Sequence, residues 1–417
     1  MQLLNIAILT PIILTSFIAR KLEGNWYGPG AFFSLYWTLL CLIPIIFAPN
    51  EYVSPLAIAY ITLTAVLVVL GSEAGKFISM KRLSITRNAT MISVVRIKLL
   101  LVVTTISGLG FIPAVLWAEG YTIFGLFEGD GFENAVSHFV NGRYSETLVE
   151  PWYSRPLLVC TYLSPLLGGT LLSLNRSHVG SKWLSFTSLA PAFFIMLIRS
   201  EKWPFAVAVA LFYSTYSAHQ FSMAKRSEKF NIYKSIRYVL LVLLMLFVFS
   251  ISQYIRIMGN QNEDFQSTVY NKMYSNALSH LTVFSYWFDK NYLVIDPSFG
   301  VYTFPGLYDL IGIHTRKPGL YDDFVMLYNG ETSNLHTFFR PMVQDFTTPF
   351  SLIIFFVIGI FFRCVFLSIN VLSSFVTYAF FITMILLSFN MNILGSNSVM
   401  ISFLFFYLVN KSIALDK

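Results

Sequence analysis

Residues 334–363 read NLHTFFRPMVQDFTTPFSLIIFFVIGIFFR. The first half carries His336, Arg340 and Asp345, whereas the second runs from Pro349 to Phe362 without a charge. An apolar block over 349–368, interrupted only by Arg363, matches the ~20 residues that a helix rising ~1.5 Å per residue needs to cross a hydrocarbon core of ~30 Å. A polar, aromatic-rich segment therefore feeds directly into a membrane span.

Blocks of the same kind recur through the 417 residues, of which 56% are hydrophobic and 12% charged, about half the charge usual in soluble domains. Water-soluble folds lack the apolar surplus seen here. Eleven candidate spans run approximately over 2–19, 30–48, 53–71, 94–116, 156–174, 183–198, 203–218, 236–252, 349–368, 371–389 and 392–410. The expected fold is an all-α polytopic membrane protein, one integral domain over 1–417. The first 19 residues lack a basic leader and a small-residue cleavage site, which predicts an uncleaved first span. Cys41, Cys160 and Cys364 all fall inside apolar blocks, so no disulfide framework or CxxC metal motif is present.

Orientation follows from the bias of Lys and Arg to the cytoplasmic side. With the C-terminus inside and the N-terminus outside, 18 of the 28 Lys/Arg residues and four of the 21 acids fall inside, giving +14 there and −7 outside. Two external segments are too long to be turns: a loop over 117–155 and a larger one over 253–348. The larger opens with Tyr270, Met273, Tyr274, Ala277, Leu278, Leu281, Phe284 and Phe288, the spacing of one face of an amphipathic helix at about 266–288. Such a helix packs on the bundle or lies on the membrane.

Phosphate-loop, HExxH, GxSxG and dinucleotide motifs are absent, which argues against ATP hydrolysis and soluble-enzyme chemistry. Gly71 and Gly75 form a GxxxG that reads as helix packing. The basic runs Lys81–Lys98 and Lys225–Arg237 read as topology and anionic-lipid contacts rather than nucleic-acid binding.

External arginines run against the positive-inside bias and are more informative. Arg199 lies in a short turn (IRSEKWP), Arg256 ends the eighth span (SQYIRIMGN), and Arg340 precedes the ninth. Guanidinium forks suit phosphate oxygens, so together these three would grip a pyrophosphate at the outer surface. The structural alternative is pairing with Glu201, Glu263 or Asp345. Among the external histidines His138, His280, His314 and His336, no two have metal-ligand spacing. His336 stands four residues before Arg340 and nine before Asp345, where a neutral imidazole could accept a hydroxyl proton. Aromatic faces and carboxylates suited to sugars are plentiful outside: Trp152, Tyr153, Tyr286, Trp287, Tyr302, Tyr308, Tyr321 and Tyr328, beside Asp289, Asp296, Asp309, Asp322, Asp323 and Glu331.

The many spans, the large external loop before the last three, IRSEKWPF and NLHTFFRPMVQDFTTPFSLIIFF together resemble bacterial O-antigen polymerases, the Wzy or oligosaccharide repeat-unit polymerase family. The resemblance covers the whole chain as architecture, and as recognisable sequence only the segments around Arg199, Arg256 and 333–350. It implies a GT-C-like polymerase/ligase architecture and a metal-independent, cofactor-free glycosyltransferase of the bacterial inner membrane. The growing glycan would pass from undecaprenyl pyrophosphate to a lipid-linked repeat unit on the periplasmic face. Arg199, Arg256 and Arg340 would then hold the leaving pyrophosphate, and His336, or else Asp345 or Glu331, would deprotonate the acceptor hydroxyl. A chain-length regulator and a flippase are the implied partners. The chain departs from the family in lacking an RX10G pattern at any external arginine. O-antigen ligase shares this architecture. A flippase or transporter for the same lipid-linked sugar is the alternative from another class, disfavoured by charges that cluster at span ends and by the lack of a repeat.

Overall fold

A computed structural model describes residues 2–80, 91–145, 147–148, 150–174, 179–223, 265–293, 296–313, 321, 323–369, 371–390 and 392–415. Its helices are α1 (Gln2–Glu23), α2 (Pro29–Phe47), α3 (Pro55–Met80), α4 (Val94–Leu109), α5 (Phe111–Ala118), α6 (Gly131–Tyr144), α7 (Ser154–Leu174) and α8 (Val179–Thr187). They continue as α9 (Ala190–Arg199), α10 (Lys202–Met223), α11 (Phe265–Asn291), α12 (Pro305–Leu310), α13 (Phe339–Leu367), α14 (Leu372–Leu387) and α15 (Asn397–Ile413). The chain divides into two compact units. The first holds α1–α3, α11 from Met273 onward, and α12–α14; the second holds α4–α10 and α15 from Ser398 onward.

The protein is mostly helical, and among the described residues six helical stretches are long and apolar enough to cross a membrane: Pro29–Phe47, Pro55–Ser79, Val94–Ala118, Ser154–Leu174, Gly180–Arg199 and Phe339–Leu367. Helices also occupy the expected spans at 2–19, 203–218, 371–389 and 392–410, while 236–252 lies outside the described residues. The ninth span begins earlier than its apolar block. Helix α13 starts at Phe339 and passes a non-helical Thr347 (φ 60°, ψ 165°) just before Pro349, so a short polar segment bearing Arg340 and Asp345 precedes the apolar one.

In the first unit, α3 and α13 cross almost backbone to backbone. A Cβ on Gly71 would collide with the Phe356 carbonyl, one on Gly75 with the Ile360 carbonyl, and one on Gly359 with the Val68 carbonyl. Small residues allow this approach, and close contact between the helices replaces the missing side chains. The Glu23 carboxylate, with its side chain wholly buried, ties four helices together. It accepts the Gly30 and Ala31 amides at 3.0 and 2.9 Å at the start of α2, and the Ser72 hydroxyl of α3, while Arg363 of α13 stands 3.9 Å away.

Above the glycine crossing, aromatic rings fill the unit. Phe339 contacts Trp37 (centroids 4.4 Å apart), Phe338 (4.7 Å), Tyr60 (5.6 Å), Phe355 (5.7 Å) and Phe284 (5.8 Å). Helix α11 therefore packs on the bundle. Its expected apolar stripe is buried at Leu281, Phe284 and Phe288, but Tyr270 at the other end is exposed. His280 anchors it by a hydrogen bond at 3.0 Å to the Leu40 carbonyl of α2.

In the second unit, α7 packs against α4 and α10, again through small residues. Gly108 faces the Thr161 backbone and Gly169 the Phe212 carbonyl. An apolar cluster of Phe111, Val115, Leu116, Leu126, Ala135, Phe139, Ile195 and Ile198 joins α6 and the turn before it to α5 and α9.

Gly71→Leu should overpack the α3–α13 crossing, lowering stability by about 1–3 kcal/mol. Phe339→Ala should remove more, about 3–5 kcal/mol, by leaving a cavity. Thermal unfolding in detergent checks both.

Candidate functional site

The first unit's site is built by a hairpin. Val325–Met326 pairs antiparallel with Thr332–Ser333, Val325 opposite Ser333 and Met326 opposite Thr332. Asn329-Gly330 supplies the turn, with Gly330 at φ +81°, a conformation that glycine adopts without steric penalty. Continuing this register beyond the paired residues sets position 323 opposite 335. Asp323 and His336 thus meet at the open end of the hairpin, where the chain enters α13 and presents Arg340.

Arg340 is almost wholly buried there. Its Nη1 and Nη2 donate to the two carboxylate oxygens of Asp323 at 2.7 and 2.9 Å, a bidentate fork. Its guanidinium lies 3.6 Å from the Tyr321 ring centroid and 5.1 Å from that of Trp287, a cation–π sandwich. Nη1 also donates to His336 Nε2. His336 packs edge-on to Tyr321 at 4.9 Å, and Tyr321 stacks on Tyr302 at 5.8 Å and 15°. Asp323 keeps 53% of its side chain exposed while Arg340 keeps 7%. The site thus holds a sequestered cation whose counter-charge faces outward.

Charge states follow from this packing. Burial and the neighbouring Arg340 cation push His336 down to about 3, outweighing the pull of Asp323. It is therefore neutral at physiological pH, with its Nε2 lone pair facing the guanidinium. For Asp323, burial works upward, but the hydrogen bonds and charge of Arg340 prevail and hold it below its usual value. Burial raises the Tyr321 phenol well above its ordinary range, so it stays protonated.

The three residues expected as proton acceptors lie in different surroundings. His336 steadies Arg340, and its lone pair is free only if the guanidinium moves. Asp345 is wholly buried and accepts the backbone amides of Tyr302, at 3.2 Å, and Thr303; it fastens the 298–304 loop rather than pairing with Arg340. Glu331 sits opposite Leu327 beside the hairpin turn, about 13 Å along the strand from the level of Asp323. The carboxylate that meets Arg340 is Asp323, which sequence reasoning placed only among possible sugar contacts. The Asn-Gly turn, with flanks that bring 323 and 336 together, was the available signal.

Arg199 belongs to the second unit and ends α9, beside a left-handed Ser200 (φ 51°). It pairs with Glu150 at 2.7 Å and Glu201 at 2.9 Å, and Arg143 of α6 pairs with Glu201 at 2.8 Å. Arg143 also donates to the Arg199 carbonyl at 2.6 Å. Two guanidinium groups and two carboxylates make a balanced cluster above a small apolar cavity lined by Phe111, Phe139 and Ile198. Arg143 went unnoticed in the sequence because its partner lies 58 positions away. Arg256, Glu263, His314 and Asp322 lie outside the described residues.

The other sugar-contact candidates divide. Trp287, Tyr302 and Tyr321 gather at Arg340, whereas Tyr286 packs on Tyr52 at 4.7 Å and Asp289 accepts the Tyr52 and Ser54 hydroxyls. His138 pairs with Glu119 at 2.8 Å. Among the described residues, no group of three His, Cys, Asp or Glu side chains is placed to hold a metal ion. Comparison with protein-family models, curated proteins and solved structures finds no match.

Because folding lowers the His336 value from 6.5 to about 3, the unfolded chain takes up a proton in that window that the folded site refuses. Stability is therefore complete above pH 6.5 and falls as pH drops towards 3. His280, lowered to about 4 by burial, acts with the same sign. In His336→Gln, the fall in Tm on acidification should shrink by several degrees, as measured by thermal unfolding at a series of pH values.

Proposed function

We propose that the protein is a polyprenyl-pyrophosphate-dependent glycan polymerase of the O-antigen polymerase kind, an integral glycosyltransferase of the bacterial inner membrane. In this reading eleven spans leave the N-terminus periplasmic and the C-terminus cytoplasmic, with 117–155 and 253–348 outside. The observation that carries it is Arg340: a sequestered guanidinium among aromatic rings at the head of an apolar helix, with a displaceable exposed carboxylate in its fork. A diphosphate presents the same paired oxygens as that carboxylate. The stacked Tyr302–Tyr321 pair offers apolar ring faces to sugars.

In the reaction, an acceptor hydroxyl of the lipid-linked repeat unit attacks the anomeric carbon of the growing glycan. The glycosyl C–O bond to undecaprenyl pyrophosphate breaks, and the electron pair leaves on the pyrophosphate. Arg340 takes the phosphate oxygens and stabilises the charge that develops there; Arg199 and Arg256 are assigned to the same anion by the family resemblance alone. Phosphate binding in the Arg340 fork releases Asp323, to which we assign the hydroxyl proton. His336 then acts as a positioning residue for Arg340. The energy resides in the glycosyl pyrophosphate bond, so no nucleotide is needed. A flippase upstream and a chain-length regulator are the partners this reading implies.

In vitro elongation of an undecaprenyl-pyrophosphate-linked repeat unit tests it. Arg340→Ala, Arg199→Ala and Arg256→Ala should each lower elongation by about 10²-fold or more while membrane insertion persists. Asp323→Asn should lose about 10²–10⁴-fold in rate while still binding the lipid-linked pyrophosphate. Full-length glycan ladders from the three arginine variants would overturn the assignment. Transfer of finished glycan to lipid A core without elongation would identify a ligase, and movement of unlengthened substrate across vesicles a transporter.

A further inference from the structure

The segment that follows the span Val94–Ala118 contains a 3-10 turn, Phe124–Phe127. In a 3-10 helix residues i and i+3 eclipse, so Phe124 and Phe127 form one edge. The structure leaves them 82% and 84% exposed while Leu126, on the opposite side, is 8% exposed. Leu126 joins the apolar cluster containing Phe111 and Ile198, which anchors the turn and forces the two phenylalanines outward.

Three further observations identify what covers that edge. Exposed Trp117 closes the preceding span and exposed Trp152 stands two residues before the next, Ser154–Leu174. Tryptophan favours the membrane–water boundary, so the turn is bracketed by residues that mark that level. The backbone of the turn is also closed on itself: the Gly125 amide donates to Thr122 Oγ1 at 3.0 Å, the Leu126 amide to the Ile123 carbonyl at 3.3 Å, and the Glu128 amide to the Gly125 carbonyl at 3.3 Å. Polar backbone must be satisfied internally before it enters an apolar medium. Beyond the turn, exposed Glu128 is followed by Gly129 at φ +50°, which redirects the chain into exposed Asp130 and Glu133.

We propose that Phe124–Phe127 is a lipid-inserting wedge, seating its two phenylalanines at the headgroup–acyl boundary of the external leaflet. The bilayer is the occupant because the edge follows closely on the span Val94–Ala118 and lies between two exposed tryptophans that mark span ends. Through Leu126 and Ile198, which immediately precedes Arg199, the wedge fixes the Arg143–Arg199 cluster at headgroup height. The inference rests on the spans and is independent of the transferase reading.

The test uses the full chain with Cys41, Cys160 and Cys364 changed to alanine, carrying single Phe124→Cys, Phe127→Cys or Asp130→Cys substitutions labelled with the fluorophore NBD. The protein is placed in phosphatidylcholine nanodiscs with or without bromine at acyl carbons 6 and 7. Labels at 124 and 127 should emit further to the blue than the label at 130, and bromine should quench them at least about two-fold more, as expected for groups buried ~5–10 Å into the interface. Equal quenching at all three sites overturns the proposal. So does a label shielded from water but untouched by bromine, which would mean that protein, from this chain or a second copy, covers the edge. Hydroxyl-radical footprinting of the unaltered protein in nanodiscs gives a second reading free of folding effects. Phe124 and Phe127 should be protected relative to Phe299, itself 74% exposed, and equal oxidation would again overturn the wedge.

Discussion

The contact on which the first unit depends is the enclosure of Phe339. Rings from α2, α3, α11 and α13 close around it, and a ring pair contributes about 0.5–1.5 kcal/mol beyond the area it buries. Its consequence for the site is geometric. Successive helical residues are turned by about 100°, so once Phe339 is fixed in the aromatic core, Arg340 must project to the side where the hairpin closes. The glycine crossing below holds α13 against α3, and the Glu23 node ties α1 and α2 to the same pair.

Electrostatics extends the constraint. A guanidinium removed from water requires compensation, since an uncompensated buried charge costs several kcal/mol. Arg340 and Arg199 meet this requirement in the same way, each with a carboxylate that is itself half exposed: Asp323 at 53% and Glu150 at 45%. The cation is held by its surroundings and the anion is held mainly by the cation. Aromatic faces on Arg340 and the Phe111 ring 5.9 Å from Arg199 supply the part of the compensation that does not leave with the carboxylate.

How far the sequence reveals this depends on the range of each interaction. Six stretches long and apolar enough to cross a membrane were legible from run length alone, the GxxxG at Gly71 and Gly75 from its spacing, and α11 from its apolar stripe. His336 was placed beside Arg340 because only four residues separate them, and the two do meet although His336 precedes α13. Asp345, five positions beyond Arg340, lies about 140° around the helix from it and accepts the Tyr302 and Thr303 amides. Asp323 was not legible as the partner, because only hairpin closure brings it within reach. Glu23 gave no sequence signal for its place either: its side chain caps α2 inside the unit. Long-range closure and burial of single polar groups leave no periodic trace in the chain.

An exposed carboxylate in the fork of a buried arginine also bears on how such a site would exchange one anion for another. Without an anion the pair is neutral, and neither group has to be stripped of compensation. In the proposed reaction an incoming diphosphate would replace one set of oxygens with another on the same two N–H vectors, an exchange of anion for anion that does not repeat the desolvation of Arg340. The energy of binding is then set by the difference between two similar ion pairs rather than by the large energy of either. In the proposed transfer, the leaving pyrophosphate stays releasable because Asp323, once it has passed the acceptor's proton to water, is again an anion that can return to the fork.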